Sequence, residues 1–154
     1  VNTELLTDLK ANDFFKKPFP KTTGPELFNL EYFENAQQRS ETKNLSHFDV
    51  LATLCRFTAE TISEAILSFT DSDETYTIYG SGVGVHNPLI MEFISELLPD
   101  FALKTTDDLG ISSDAKEAVL FATLANEALA GGNTNFGSRK GVPSVSMGKV
   151  SFAG

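Results

Sequence analysis

The amino-acid sequence predicts an α/β fold, and three observations carry that prediction. A β-branched, aromatic run, Thr75-Tyr76-Thr77-Ile78-Tyr79, leads into a glycine-rich loop. Apolar residues at helical spacing lie on both sides of it, and a second strand candidate at 101–105 precedes another helical segment. The order strand, glycine loop, helix, strand, helix is that of an α/β unit. With 154 residues, 41% hydrophobic and 21% charged, the chain has material for one domain with a packed core, taken here as residues 1–154.

The elements follow in order. Residues 3–12 read as a helix that begins almost at Val1, which suggests a segment excised from a longer protein. Pro18, Pro20, Gly24 and Pro25 then forbid a regular element and favour an ordered loop. A short helix is expected over 26–35. Ser46-His47-Phe48-Asp49 has the spacing of a capping box, so a long helix begins there and runs to about Phe69. Val50, Leu54, Phe57, Thr61 and Ala65, flanked by Leu51, Thr58, Ile62 and Ile66, form its expected buried stripe. After the strand at 75–79, Asn87 and Pro88 signal an N-cap and first helical position, and Pro99 ends that helix. A last helix is expected over 113–129, closed by Gly131 and Gly132, and 149–152 is a candidate edge strand. So few strands for this length suggest that part of a sheet lies elsewhere.

Bulk properties narrow the function classes. A formal charge of −9 argues against a nucleic-acid partner, because neutralising phosphates takes Lys and Arg. No run reaches the roughly 18 to 20 apolar residues of a membrane span, and no basic segment leads an apolar signal-peptide core, so no membrane partner and a cytoplasmic location are expected. The single cysteine, Cys55, sits among apolar helical residues and reads as a buried, inert thiol.

The most informative local feature is Tyr79-Gly80-Ser81-Gly82-Val83-Gly84-Val85-His86-Asn87-Pro88, a strand turning through glycines towards a helix start. Such a turn offers backbone N–H groups to a phosphate or allows close approach of a nucleotide; it also serves as a tight structural turn. The Gly-Lys-Ser/Thr ending of a P-loop is absent, and Val85 breaks the dinucleotide fingerprint, which disfavours a nicotinamide enzyme. Glu117 shares a helical face with Phe121, Leu124 and Ala128, so its carboxylate faces an interior or a cleft, unless it and Asp114 only complement the helix dipole. Lys21, Thr22 and Thr23 offer a cation and two hydroxyls in a loop that is otherwise simply solvated. His47 belongs to a helix start and His86 precedes a cap; neither has neighbours at metal-ligand spacing, and no metal site is expected within the chain. No serine pairs with a histidine in a nucleophile motif.

Four segments together resemble the C-terminal half of the anhydro-N-acetylmuramic acid kinases and the related levoglucosan kinase: Pro20-Lys21-Thr22-Thr23-Gly24-Pro25-Glu26-Leu27-Phe28; Gly82-Val83-Gly84-Val85-His86-Asn87-Pro88; Thr105-Thr106-Asp107-Asp108-Leu109-Gly110-Ile111 with Asp114-Ala115-Lys116-Glu117-Ala118; and Leu129-Ala130-Gly131 with Met147-Gly148-Lys149-Val150. The resemblance implies one lobe of an actin-like, ribonuclease-H-type ATPase fold, with ATP and Mg2+ in a cleft closed by an N-terminal lobe. It further implies cleavage of the 1,6-anhydro bridge of a sugar by water with phosphorylation of O6. It assigns Glu117 to the sugar. Lys21, Thr22, Thr23, Gly24, Gly82, Gly84 and Asn87 go to the nucleotide side. The carboxylate that activates water falls in the other half, so no catalytic residue is expected in this segment and the segment alone is expected to be inactive. A homodimer is expected of the full-length protein.

Two positions depart from the family pattern: Val83 stands where three successive glycines are common, and Pro25 where arginine is frequent. They favour an alternative reading, a non-catalytic actin-like nucleotide-binding module. Levoglucosan is the alternative acceptor. The aromatic residues Phe14, Phe15, Phe19, Phe28, Tyr32 and Phe33 are dense enough for a lobe or subunit contact as well as for core packing.

Overall fold

A computed structural model describes residues 1–71, 74–131 and 151. Five α-helices and two strands follow one another as α1 (Thr3–Lys10), α2 (Leu30–Arg39), α3 (His47–Leu67), β1 (Thr77–Gly80), α4 (Pro88–Leu97), β2 (Ala102–Thr105) and α5 (Lys116–Ala130). Short 3-10 turns at Val83–His86 and Thr106–Leu109 follow the two strands. β1 and β2 pair in a small two-stranded parallel sheet, the expected α/β arrangement, with α4 as the crossover. The chain divides into two compact units, residues 1–78 with 84–103, and residues 79–83 with 104–154.

The first unit holds two cores. Leu5 and Leu9, one turn apart on α1, are buried against Ala36 of α2, with Tyr32, Phe33, Leu45, Leu54 and Phe57 around them. Each such leucine removed from water contributes about 1.5–3 kcal/mol. Ala59, Ile94 and Leu98 centre the second core, where α4 packs on α3 beneath Ile78, Phe101 and Leu103. Charges tie the helices on their outer edges: Lys10 reaches Glu60 at 2.6 Å and Glu64 at 2.5 Å, while Arg56 pairs with Glu60 at 2.9 Å and Glu96 at 3.0 Å.

The buried line of α3 differs from the one its hydrophobicity predicts. Thr53, Ala59 and Ser63 are buried, whereas the expected stripe from Val50 to Ala65 is half-buried, and Leu51 and Ile62 are exposed. Small residues win this face because α1 and α4 approach it closely: Thr53 Oγ1 accepts from the Asn2 N–H at 2.8 Å, and Ala59 sits under Ile94 and Leu98. Phe48 is 86% exposed, so an apolar flank of α3 lies uncovered by the described residues.

Other boundaries shift for local reasons. α2 starts four residues later than expected, because the Glu26 carboxylate turns back to accept from the Gly24 N–H at 2.7 Å while Asn29 caps the helix through the Tyr32 N–H. Ser46 caps α3 as its spacing predicts. β1 and β2 are trimmed to four residues each. α5 begins at Lys116 with no side-chain cap, since its N-cap position is Ala115, which has no hydrogen-bonding side chain. Gly132, the closing Met147-Gly148-Lys149-Val150 segment and all of the 149–152 strand except Ser151 lie outside the described residues; Ser151 is in no strand. Among the described residues no helix is long and apolar enough to cross a membrane.

Candidate functional site

The glycine turn is built by β1 on one side and α4 on the other. Gly82 has φ +86°, a conformation that L side chains rarely adopt, and its N–H donates to the Ser113 carbonyl at 2.9 Å. Gly84 differs: its φ is ordinary, and a Cβ placed there meets nothing within 4 Å. Neither local backbone geometry nor packing against the described residues requires glycine at 84. Val83, between them, is 85% exposed.

Asn87 is held by the fold. Its side-chain oxygen accepts from the Leu89 and Ile90 N–H groups at 3.1 and 3.2 Å, which caps α4, and its amide donates to Cys55 Sγ at 3.6 Å. The first N–H groups of α4 are therefore occupied, and the expected positive helix end carries less free donor capacity than the turn suggests. Cys55 is half-buried, consistent with the expectation for that thiol only in part.

The loop from Lys21 to Gly24 packs over α3 in the same unit. Lys21 Nζ donates to the Phe15 carbonyl at 2.8 Å and lies over the rings of Phe14 and Phe19, 5.2 and 4.7 Å from their centroids. Thr23 Oγ1 donates to Glu26 Oε1 at 3.2 Å, and Thr22 is exposed. Hydrogen bonds from its own backbone N–H, from the Gly24 N–H and from Thr23 hold the Glu26 carboxyl below the usual carboxylate range. Phe14, Phe15, Phe28, Phe57 and Tyr32 meet edge to face; Phe28 is exposed and the other four are half-buried. Beside it lies a cavity of about 550 Å3, lined by Phe14, Phe19, Lys21, Phe57, Thr61 and Glu64 among others. Lys21 is thus a cation turned onto its own loop.

Glu117 lies in the first turn of α5, in the second unit, and is exposed. Its carboxylate has no hydrogen-bond or ion-pair partner among the described residues. The apolar face predicted around it is open: no residue of α5 is buried, and Phe121 is 66% exposed. The expectation that this face meets an interior is therefore not met by the described residues of this chain. The Gly82–Ser113 hydrogen bond brings the glycine turn next to the segment that leads into α5, four residues before Glu117. Sequence reasoning missed Ser113; its signal was only its place between the Asp107 motif and the helix.

Comparison with known proteins gives a consistent result. The family model described as anhydro-N-acetylmuramic acid kinase matches residues 1–152. A protein of Pseudoalteromonas atlantica named anhydro-N-acetylmuramic acid kinase is 52% identical over 154 residues, covering 99% of this chain and 38% of the relative. Relatives of the same name in Aliivibrio fischeri and Caldanaerobacter subterraneus are 41% identical over 83% of the chain and 35% identical over 99% of it. The chain spans about 38% of the length of the relatives it matches over its whole extent.

Proposed function

The chain belongs to the anhydro-N-acetylmuramic acid kinase family, and we propose that it supplies the C-terminal lobe of an enzyme that opens the 1,6-anhydro bridge of 1,6-anhydro-N-acetylmuramic acid and phosphorylates O6 at the expense of ATP. The observation that carries this reading is the continuous family match over residues 1–152, which includes both the glycine turn and Glu117. The actin-like fold of the complete protein, its homodimeric state and a cytoplasmic location belong to the same proposal.

Within it, each residue has a physical task. Gly84, open and without a Cβ, lets a nucleotide approach the backbone. Gly82 sets the turn, and Asn87 caps α4. The Lys21–Gly24 loop forms part of the cleft wall, fixed by the contacts of Lys21 with the loop's own aromatic rings. Glu117, exposed and unpartnered among the described residues, accepts hydrogen bonds from sugar hydroxyls. Orienting the acceptor is the larger part of phosphoryl-transfer catalysis, in which the protein mostly positions reactants and stabilises charge. Mg2+ compensates phosphate charge when bound. Among the described residues no group of three or more His, Cys, Asp or Glu could hold a metal ion; Mg2+ would need only one or two carboxylates beside the phosphates and water.

The test is magnesium-dependent ADP formation by the full-length protein carrying this sequence, supplied with 1,6-anhydro-N-acetylmuramic acid or with levoglucosan. Turnover with the first sugar, absent in Glu117→Ala, is expected. Turnover with levoglucosan alone reassigns the acceptor, and no turnover with either overturns the kinase reading.

A further inference from the structure

The loop that leaves β2 closes on itself through its own hydrogen bonds. The Gly110 N–H donates to the Asp107 carbonyl at 2.9 Å, with Gly110 at φ +77°, and the Ile111 N–H donates to the Thr106 carbonyl at 3.1 Å. This doubles the chain back, so that Ser113, buried to 5% exposure, returns beside the Asp107 side chain. Asp107 Oδ1 accepts from the Ser113 N–H at 3.4 Å. The carbonyl of that same Ser113 accepts from the Gly82 N–H. One peptide segment therefore connects an exposed carboxylate to the glycine turn.

We propose that Asp107 is a positioning residue: it fixes Ser113 so that the Ser113 carbonyl holds the Gly82 turn in the shape that receives the nucleotide. The inference rests on the kinase reading for its functional half and on the hydrogen-bond path for its structural half. The path is contained in the second unit, residues 79–83 and 104–154. Hydrogen bonds from the Ser113 and Thr105 side chains also hold the Asp107 carboxyl below the usual carboxylate range, so at neutral pH it acts as an acceptor. Asp107 itself touches no reacting atom on this account, and its effect passes entirely through Ser113 and Gly82.

The experiment compares Asp107→Ala with Asp107→Asn in the full-length protein, since the asparagine oxygen retains an acceptor for the Ser113 N–H. Asp107→Ala is expected to raise KM for ATP by about tenfold, the scale of one lost hydrogen bond to a charged group, with a smaller change in kcat; Asp107→Asn is expected to stay within about threefold of the parent. Amide hydrogen exchange gives a readout independent of turnover: protection of the Gly82 N–H is expected to fall by about tenfold in Asp107→Ala and to be kept in Asp107→Asn. Should the alanine variant fail to fold, loss of Gly82 protection in Asp107→Asn still counts against the proposal. An unchanged Gly82 exchange rate in a folded Asp107→Ala overturns it. So does a lowered melting temperature with KM for ATP unchanged. A parent protein that turns over neither sugar refutes the kinase reading, while the exchange comparison still decides the link from Asp107 to Gly82.

Discussion

At Gly82 the backbone sits at φ +86°, where an L side chain costs about 1–2 kcal/mol. Gly82→Ala is therefore expected to lower stability by about that amount in urea denaturation. Gly84→Ala is expected to change stability by less than about 0.5 kcal/mol, because the added methyl meets nothing and φ is ordinary, yet to raise KM for ATP in the full-length protein. A loss of stability at Gly84 equal to that at Gly82, with KM unchanged, would return the turn to a purely structural role. The glycines were visible in the sequence, but their different reasons were not. A run of small residues shows that room exists, whereas φ angles and neighbouring atoms show what the room is for. Glu117 is a similar case: its register on the helix was readable, and its lack of a partner among the described residues was not.

Among the elements, α4 depends on one side chain at its start. Asn87 satisfies two N–H groups, so Asn87→Ala is expected to destabilise the chain by about 1 kcal/mol, with Asn87→Asp nearly neutral, measured by thermal melting. The contact of α1 with α3 carries a pH dependence. Burial opposes ionisation of Glu60, but hydrogen bonds from Lys10 and Arg56 outweigh it and hold its carboxyl below the usual glutamate range. Burial likewise works against the charged Lys10, and Glu60 and Glu64 outweigh it, raising the Lys10 value. A carboxyl with a depressed folded value contributes stability above its unfolded value, near 4.5, and loses it as pH falls through the folded one. The lysine contribution is complete below its unfolded value of 10.5 and is lost as pH rises through the higher folded one. Glu60→Gln is thus expected to flatten the decline in urea midpoint between about pH 5 and pH 3. An unchanged slope would place the acid sensitivity elsewhere. Capping residues made α3 and α4 legible in advance, because a cap is a local contact; the start of α2 was misplaced because Glu26 is drawn into a bond outside a helix, and α5 has no side-chain cap to mark its start.

For the molecule as a whole, α5 is apolar on most of its surface and buries none of its residues: Leu129 is 76% exposed and Phe121 66%. A helix hydrophobic all round belongs in the interior of a larger structure. The chain spans about 38% of the length of its relatives. Expressed alone, it is expected to bind a hydrophobic dye and to produce no ADP, and Phe121→Ser with Leu129→Ser is expected to reduce dye binding while changing the melting temperature little. Strong dye binding that persists in the double variant would point to the flank of α3 around Phe48 and Leu51 as the exposed patch.

The sequence by itself determined the α/β order, the capped helices and the family, because caps, glycine turns and motif spacing are relations between residues a few positions apart. Only the tertiary structure decided that α3 buries Thr53, Ala59 and Ser63 in place of its larger apolar residues, that Lys21 turns onto its own aromatic loop, and that Ser113 joins the glycine turn to the approach of α5. Those outcomes depend on which surfaces approach closely enough to exclude a larger side chain or to complete a hydrogen bond, and hydrophobicity along the chain carries no measure of that distance.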